Sequence, residues 1–147
     1  MTLALDRSPI TLRAARTALI ANLLWINLSE VFRYFVFIMP MMRAHLAEVP
    51  EAAPMNLPVF LIWGLWDTVL VLVATGFSWL ILERFGTSPR VVVQAGTAIW
   101  AAIFVILWLG LWNMNLASLP ILAIALPLAW FEMVVAAGLV RWAMLRG

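Results

Sequence analysis

The chain has no cysteine, no lysine and a single histidine in 147 residues. Without cysteine there is no disulfide framework, no thiolate metal site and no cysteine nucleophile. One histidine, His45, lying outside the long apolar runs, excludes bis-histidine haem ligation within a membrane and any histidine-rich metal site. Every basic residue is an arginine, and no basic stripe interleaved with aromatics exists, so the high calculated pI does not point to nucleic acid. Charge itself is scarce: 11% of residues are charged and 66% are apolar. Soluble domains carry about a quarter charged residues, so this composition is neither that of a soluble globule nor that of a disordered chain.

Four long apolar runs account for the composition. Their expected limits are 17–39, 58–82, 90–112 and 119–142, each long enough for a helix to cross a bilayer. The first run is too long for a signal peptide, carries Glu30 and Arg33, and leads into Met41 and Met42 rather than a small-residue cleavage site. Pro40 is expected to close it. Ser8 with Pro9 is expected to open it as N-cap and first helical proline. Gly86 reads as a C-cap and Ser88-Pro89 as the start of the third helix, while Ser118 and Pro120 start the fourth. The segment 43–57, with Pro50, Pro54, Glu48 and Glu51, is the one sizeable loop and the expected site of greatest mobility between spans; the Asn113 turn is short. Irregular backbone cannot face lipid, and no alternating segments of barrel type occur. The expected fold is therefore all-α integral membrane, one transmembrane domain over 1–147, built as an antiparallel four-transmembrane-helix bundle.

Arginine sets the expected orientation. Arg7, Arg13, Arg16, Arg84, Arg90, Arg141 and Arg146 all fall on one side of an even-numbered topology, and only Arg43 lies in the loops opposite. The positive-inside rule then places both termini in the cytoplasm, N-in and C-in, for a multi-pass protein of the cell inner (plasma) membrane.

The chemistry lies in the charges inside the spans: Glu30 and Arg33, Asp67, and Glu132. Left unpaired, four such charges cost on the order of 10 kcal/mol on insertion scales, so they face the bundle interior. On a helical wheel Asn22, Asn27, Ser29, Glu30, Arg33 and Tyr34 share one half of the first span. Gly64, Asp67, Thr68, Val71, Thr75 and Ser78 form a stripe on the second, and Gln94, Thr97, Ala101, Val105 and Trp108 one on the third. Depth counting at about 1.5 Å per residue puts Glu30, Arg33 and Asp67 at matching levels and Glu132 deeper, out of direct reach of Asp67. The expected site comprises Glu30, Arg33 and Asp67 with Trp66 and Tyr34 beside them; Glu132, Trp130, Asn27 and Thr68 are secondary. Arg33 neutralises one carboxylate, by proximity Glu30, and leaves Asp67 protonated or solvated through an outward-opening cavity.

Each feature also has a structural explanation. Glu30 and Arg33 at i,i+3 neutralise one another without further purpose. Pro127, five residues before Glu132, kinks a helix as prolines commonly do in membranes. Of the nine tryptophans, Trp63, Trp66, Trp108, Trp112, Trp79 and Trp142 fall at interfacial depth as an aromatic belt, whereas Trp25, Trp100 and Trp130 lie nearer mid-depth.

No catalytic, nucleotide-binding or metal motif is present, and nothing calls for a cofactor. Three functional classes remain. One is a bundle that binds or transports a small lipophilic or cationic ligand, with or without proton linkage; it is similar in plan, though not in motif, to the small multidrug transporters, and a transporter this short requires a homodimer. Another is an intramembrane enzyme, isomerase-like, acting on a lipid-like substrate and resembling in plan the four-helix sterol isomerases. The third is an accessory subunit of a larger membrane complex. Beyond these, the bilayer is the one partner the composition demands.

Overall fold

The computed structural model describes residues 12–49, 51 and 53–146. Ser8, Pro9 and Arg7 lie outside the described residues, and so do the expectations placed on them. All regular structure among the described residues is helical. Four helices, α1 (Leu12–His45), α2 (Leu57–Phe85), α3 (Pro89–Asn113) and α4 (Leu119–Arg146), are each long and apolar enough to cross a membrane. This is the architecture of a multi-pass membrane protein. Their outer faces carry exposed Leu24, Ile62, Leu80 and Ile106, side chains that cost nothing in lipid and much in water.

The expected caps at Gly86 and Ser88 are in place, whereas α1 runs past both of its expected limits. Asn56 caps α2 through its side chain, which accepts from the Val59 amide at 3.1 Å, and Ser88 caps α3 by accepting from Val91 at 3.4 Å. Gly86 ends α2 at φ 92°, a conformation that favours glycine, with its amide donating to Leu82 O. Pro40, however, does not close α1. The helix passes through it to His45 because the turn before it, Tyr34–Ile38, is π-helical. A proline lacks an amide hydrogen and its ring crowds the carbonyl four residues back; a wider turn relieves both demands. α1 is therefore about 51 Å long at 1.5 Å per residue.

The second π segment, Ala101–Val105, lies in α3 and has a consequence for the face it buries. The buried residues step from Val92 through Ala95, Gly96 and Ile99 to Phe104 and Trp108, so that a five-residue stride replaces the usual three or four at the π turn. Of the expected stripe, Gln94 and Ala101 face outward, Thr97 and Val105 are half-buried, and Trp108 is buried in the core rather than set in an interfacial belt. α1 shows the same stride, from Arg33 to Ile38.

α4 is the central element and packs against all three other helices. Its buried face is rich in alanine, with Ala125, Ala129, Ala136, Ala137 and Ala143, so neighbouring backbones approach closely. The approach is tightest against α3: a Cβ added to Gly96 would lie 2.5 Å from the Val134 Cα. Pro127 sits inside α4 without ending it. Two indoles tie their helices to α4 backbone, Trp25 donating to Glu132 O at 3.0 Å and Trp100 to Leu126 O at 2.8 Å. At the ends, Arg141 Nε donates to Thr87 O at 2.6 Å and His45 Nε2 lies 3.2 Å from Asn115 O.

Candidate functional site

α1 places Asn22, Ile26, Glu30 and Arg33 on one buried face, and α2 does the same for Asp67, Val71, Thr75 and Ser78. Lower on this seam Asn22 Nδ2 donates to Thr75 Oγ1 at 2.9 Å. Higher on it lies the charge cluster. Arg33 Nη2 is paired with Glu30 Oε1, one helical turn away. Its other terminal nitrogen, Nη1, lies 3.5 Å from Glu132 Oε2 of α4, and its guanidinium stacks over the Phe104 ring of α3 at 4.9 Å. Glu132 is wholly enclosed and also accepts from Ser29 Oγ at 2.8 Å. Asp67, only 4% exposed, feels the charges of Glu30 and Arg33, and it makes no ion pair or hydrogen bond with any described residue. Arg33 is thus where all four helices meet.

Glu132 makes no bond with Asp67 among the described residues, but it meets Arg33, a contact that depth counting did not find. With α1 running from Leu12 to His45, Ser29 falls at its middle, as Glu132 falls at the middle of α4. Side chains on a helix lean toward its N-terminus, so the long Arg33 chain reaches back to the Ser29 level. Glu132 therefore joins the cluster as a direct partner of Arg33.

The remaining expected residues divide. Tyr34 is half-buried at the start of the π segment, its ring 4.7 Å from that of Trp63. Trp66 is 59% exposed and faces away from the cluster, and Thr68 is exposed and satisfies itself on Gly64 O at 2.8 Å. Asn27 likewise turns to its own helix, donating to Leu23 O at 2.8 Å. Trp130 binds Thr97 Oγ1 at 2.9 Å on the α3–α4 surface, away from the charges. Sequence reasoning passed over Phe104 and Trp63. The first is hidden by the π turn; the second was detectable as the residue one turn before Asp67 on the same face.

Two cluster atoms, Arg33 Nη1 and Glu132 Oε1, are buried without a hydrogen-bond partner. Lower on the seam Asn22 Oδ1, Ser78 Oγ and Trp79 Nε1 are in the same condition. Such a deficit costs about 1–3 kcal/mol per group and marks polar capacity that the chain itself does not use. A cavity of about 440 Å³ lies elsewhere, lined by Arg43, Leu46, Glu51 and Asn56 of the first loop, and no cluster residue lines it. No group of three metal-ligating side chains occurs among the described residues.

Neither a protein-family model, nor a curated protein, nor a solved structure matches the chain.

Proposed function

We propose that this is an inner-membrane protein that binds or transports a small lipophilic or cationic ligand at the Glu30–Arg33–Asp67–Glu132 cluster, in exchange for protons. Its helices run antiparallel with both termini cytoplasmic. The arginine distribution supports that orientation. So do the α1–α2 contacts, in which Asn22 meets Thr75 and Tyr34 meets Trp63, partner numbers falling as numbers in α1 rise.

One observation carries the reading: three buried carboxylates stand against one guanidinium, which pairs with Glu30 and Glu132 and leaves Asp67 without a direct partner. Fully ionised, the cluster holds a net charge of −2, which a low-dielectric interior does not tolerate. Two further positive charges must be present, as protons or as a cation. A site that is neutral with either exchanges one for the other.

The test is binding of radiolabelled tetraphenylphosphonium, a lipophilic cation, to the protein in nanodiscs at pH 6 and pH 8, with proton release followed in weak buffer. Saturable binding that tightens with pH and releases protons is expected. Binding that is absent, or indifferent to both pH and Asp67→Asn, overturns the reading.

A further inference from the structure

Asp67 is the cluster carboxylate without a direct partner, and what surrounds it differs on its two sides. Toward the bundle it faces Glu30 and Arg33 of α1, and the charge network that includes them reaches Glu132 of α4. α3 adds no charge there; Phe104 lies over Arg33. On the other side the neighbours are aromatic. Trp63 precedes Asp67 by four residues on the same helix, a spacing that sets Cβ atoms about 5–6 Å apart. Tyr34, adjacent to Arg33 in the chain, packs its ring on Trp63 at 4.7 Å and 59°. Phe35 and Phe60 flank the indole at 6.2 Å each.

An interfacial belt does not account for this arrangement. Belt tryptophans turn outward, as Trp66 does three residues further on. Trp63 is half-buried against Tyr34 across the seam between α1 and α2, one helical turn before a buried acid with no direct partner. An anionic group with aromatic rings one helical turn away favours cations that shed water cheaply and are attracted to ring faces over compact, strongly hydrated ones.

Resting on the reading above, we propose that Trp63, Tyr34 and Asp67 form a recognition site for a monovalent quaternary cation, ammonium or phosphonium, which enters along the α1–α2 seam. Asp67 supplies the counter-charge and the two rings supply the selectivity. Primary ammonium and alkali-metal ions are excluded by their hydration.

The experiment measures displacement of radiolabelled tetraphenylphosphonium by tetrapropylammonium, propylammonium and sodium, using wild type, Trp63→Leu, Trp66→Leu and Asp67→Asn in nanodiscs. The expected order is tetrapropylammonium far ahead of propylammonium, with sodium inert. Trp63→Leu should weaken quaternary binding about tenfold, within the range of a desolvated cation–π contact, and Trp66→Leu less than about twofold. Equal effects of the two tryptophan variants, with Asp67→Asn still abolishing binding, overturn the aromatic site but leave the exchange reading standing. Loss of selectivity without Trp63 dependence does the same. Binding that survives Asp67→Asn unchanged overturns both. Should Trp63→Leu fail to fold, Trp63→Phe and Tyr34→Leu carry the test, and unchanged quaternary affinity in both overturns the site.

Discussion

Arg33 Nη1 of the first helix lies 3.5 Å from Glu132 Oε2 of the fourth, at the level where both helices have their midpoints. This contact joins the ends of the chain across the bundle and makes Glu132 part of the same electrostatic unit as Glu30. Replacing Arg33 by leucine leaves two buried carboxylates without their cation. Removing one partner of a buried pair costs about 3–5 kcal/mol, so Arg33→Leu should lower the unfolding temperature in detergent by far more than Glu132→Gln. The glutamine keeps an oxygen for Ser29 and removes a charge that Arg33 only half satisfies. Equal losses in the two variants would show that Arg33 does not hold the cluster together.

A purely steric prediction concerns α3 and α4. A methyl group on Gly96 would meet Val134 Cα at 2.5 Å and Val134 N at 2.7 Å, and backbone cannot step aside as a flexible side chain can. Overpacking typically costs about 1–3 kcal/mol, and Gly96→Ala should reach or exceed the upper end. Gly110, with nothing within 4 Å of an added Cβ, is the control: alanine is the better helix former, and Gly110→Ala should be neutral or stabilising. Thermal unfolding of the two variants in one detergent decides the matter. A stable Gly96→Ala protein would mean that the helices can separate there without penalty.

What could be read from the sequence was local. Gly86 and Ser88-Pro89 announce a turn because the capping chemistry acts within four residues. The apolar runs announce the spans because their length is itself the signal. The burial of Asp67, Glu30 and Arg33 follows from the price of a charge in lipid. What could not be read depends on the two π turns. One carries α1 through Pro40 to His45, past its expected end. The other shifts the buried face of α3 and turns Phe104 inward in place of Ala101. A wheel of fixed pitch has no means of finding either. Trp66 adjoins Asp67 in sequence but lies about 100° away around the helix, whereas Trp63, four residues back, lies nearly alongside.

The absence of cysteine makes orientation directly measurable. Single cysteines in place of Val49, in the α1–α2 connection, and Glu83, at the end of α2, are both exposed and disturb no capping group. In intact cells a membrane-impermeant maleimide should label Val49→Cys and not Glu83→Cys; permeabilised cells should label both. Labelling of both in intact cells would contradict the proposed topology, and the inverse pattern would reverse it.

The final prediction separates the carboxylates by counting protons. If a monovalent cation displaces n protons from the cluster, its apparent affinity rises about tenfold for each proton per pH unit, wherever the unliganded site holds those protons and the liganded one does not. The sign is fixed: lowering the pH reloads the site and weakens cation binding. Charge balance limits n. The three acids and Arg33 leave two uncompensated negative charges, so at most two protons are held, and a monovalent cation that replaces one of them leaves the cluster neutral. The wild-type slope of log affinity against pH should therefore be close to one, not two. Asp67→Asn removes the carboxylate that the cation meets and should abolish the slope together with the binding. Glu132→Gln removes the other surplus charge, one that neutral binding does not use, and should keep a slope near one while the affinity changes by a constant factor. A wild-type slope near two would mean that both surplus acids are emptied at once and that Arg33 shifts to compensate; a slope of zero would mean that cation and proton do not compete for Asp67.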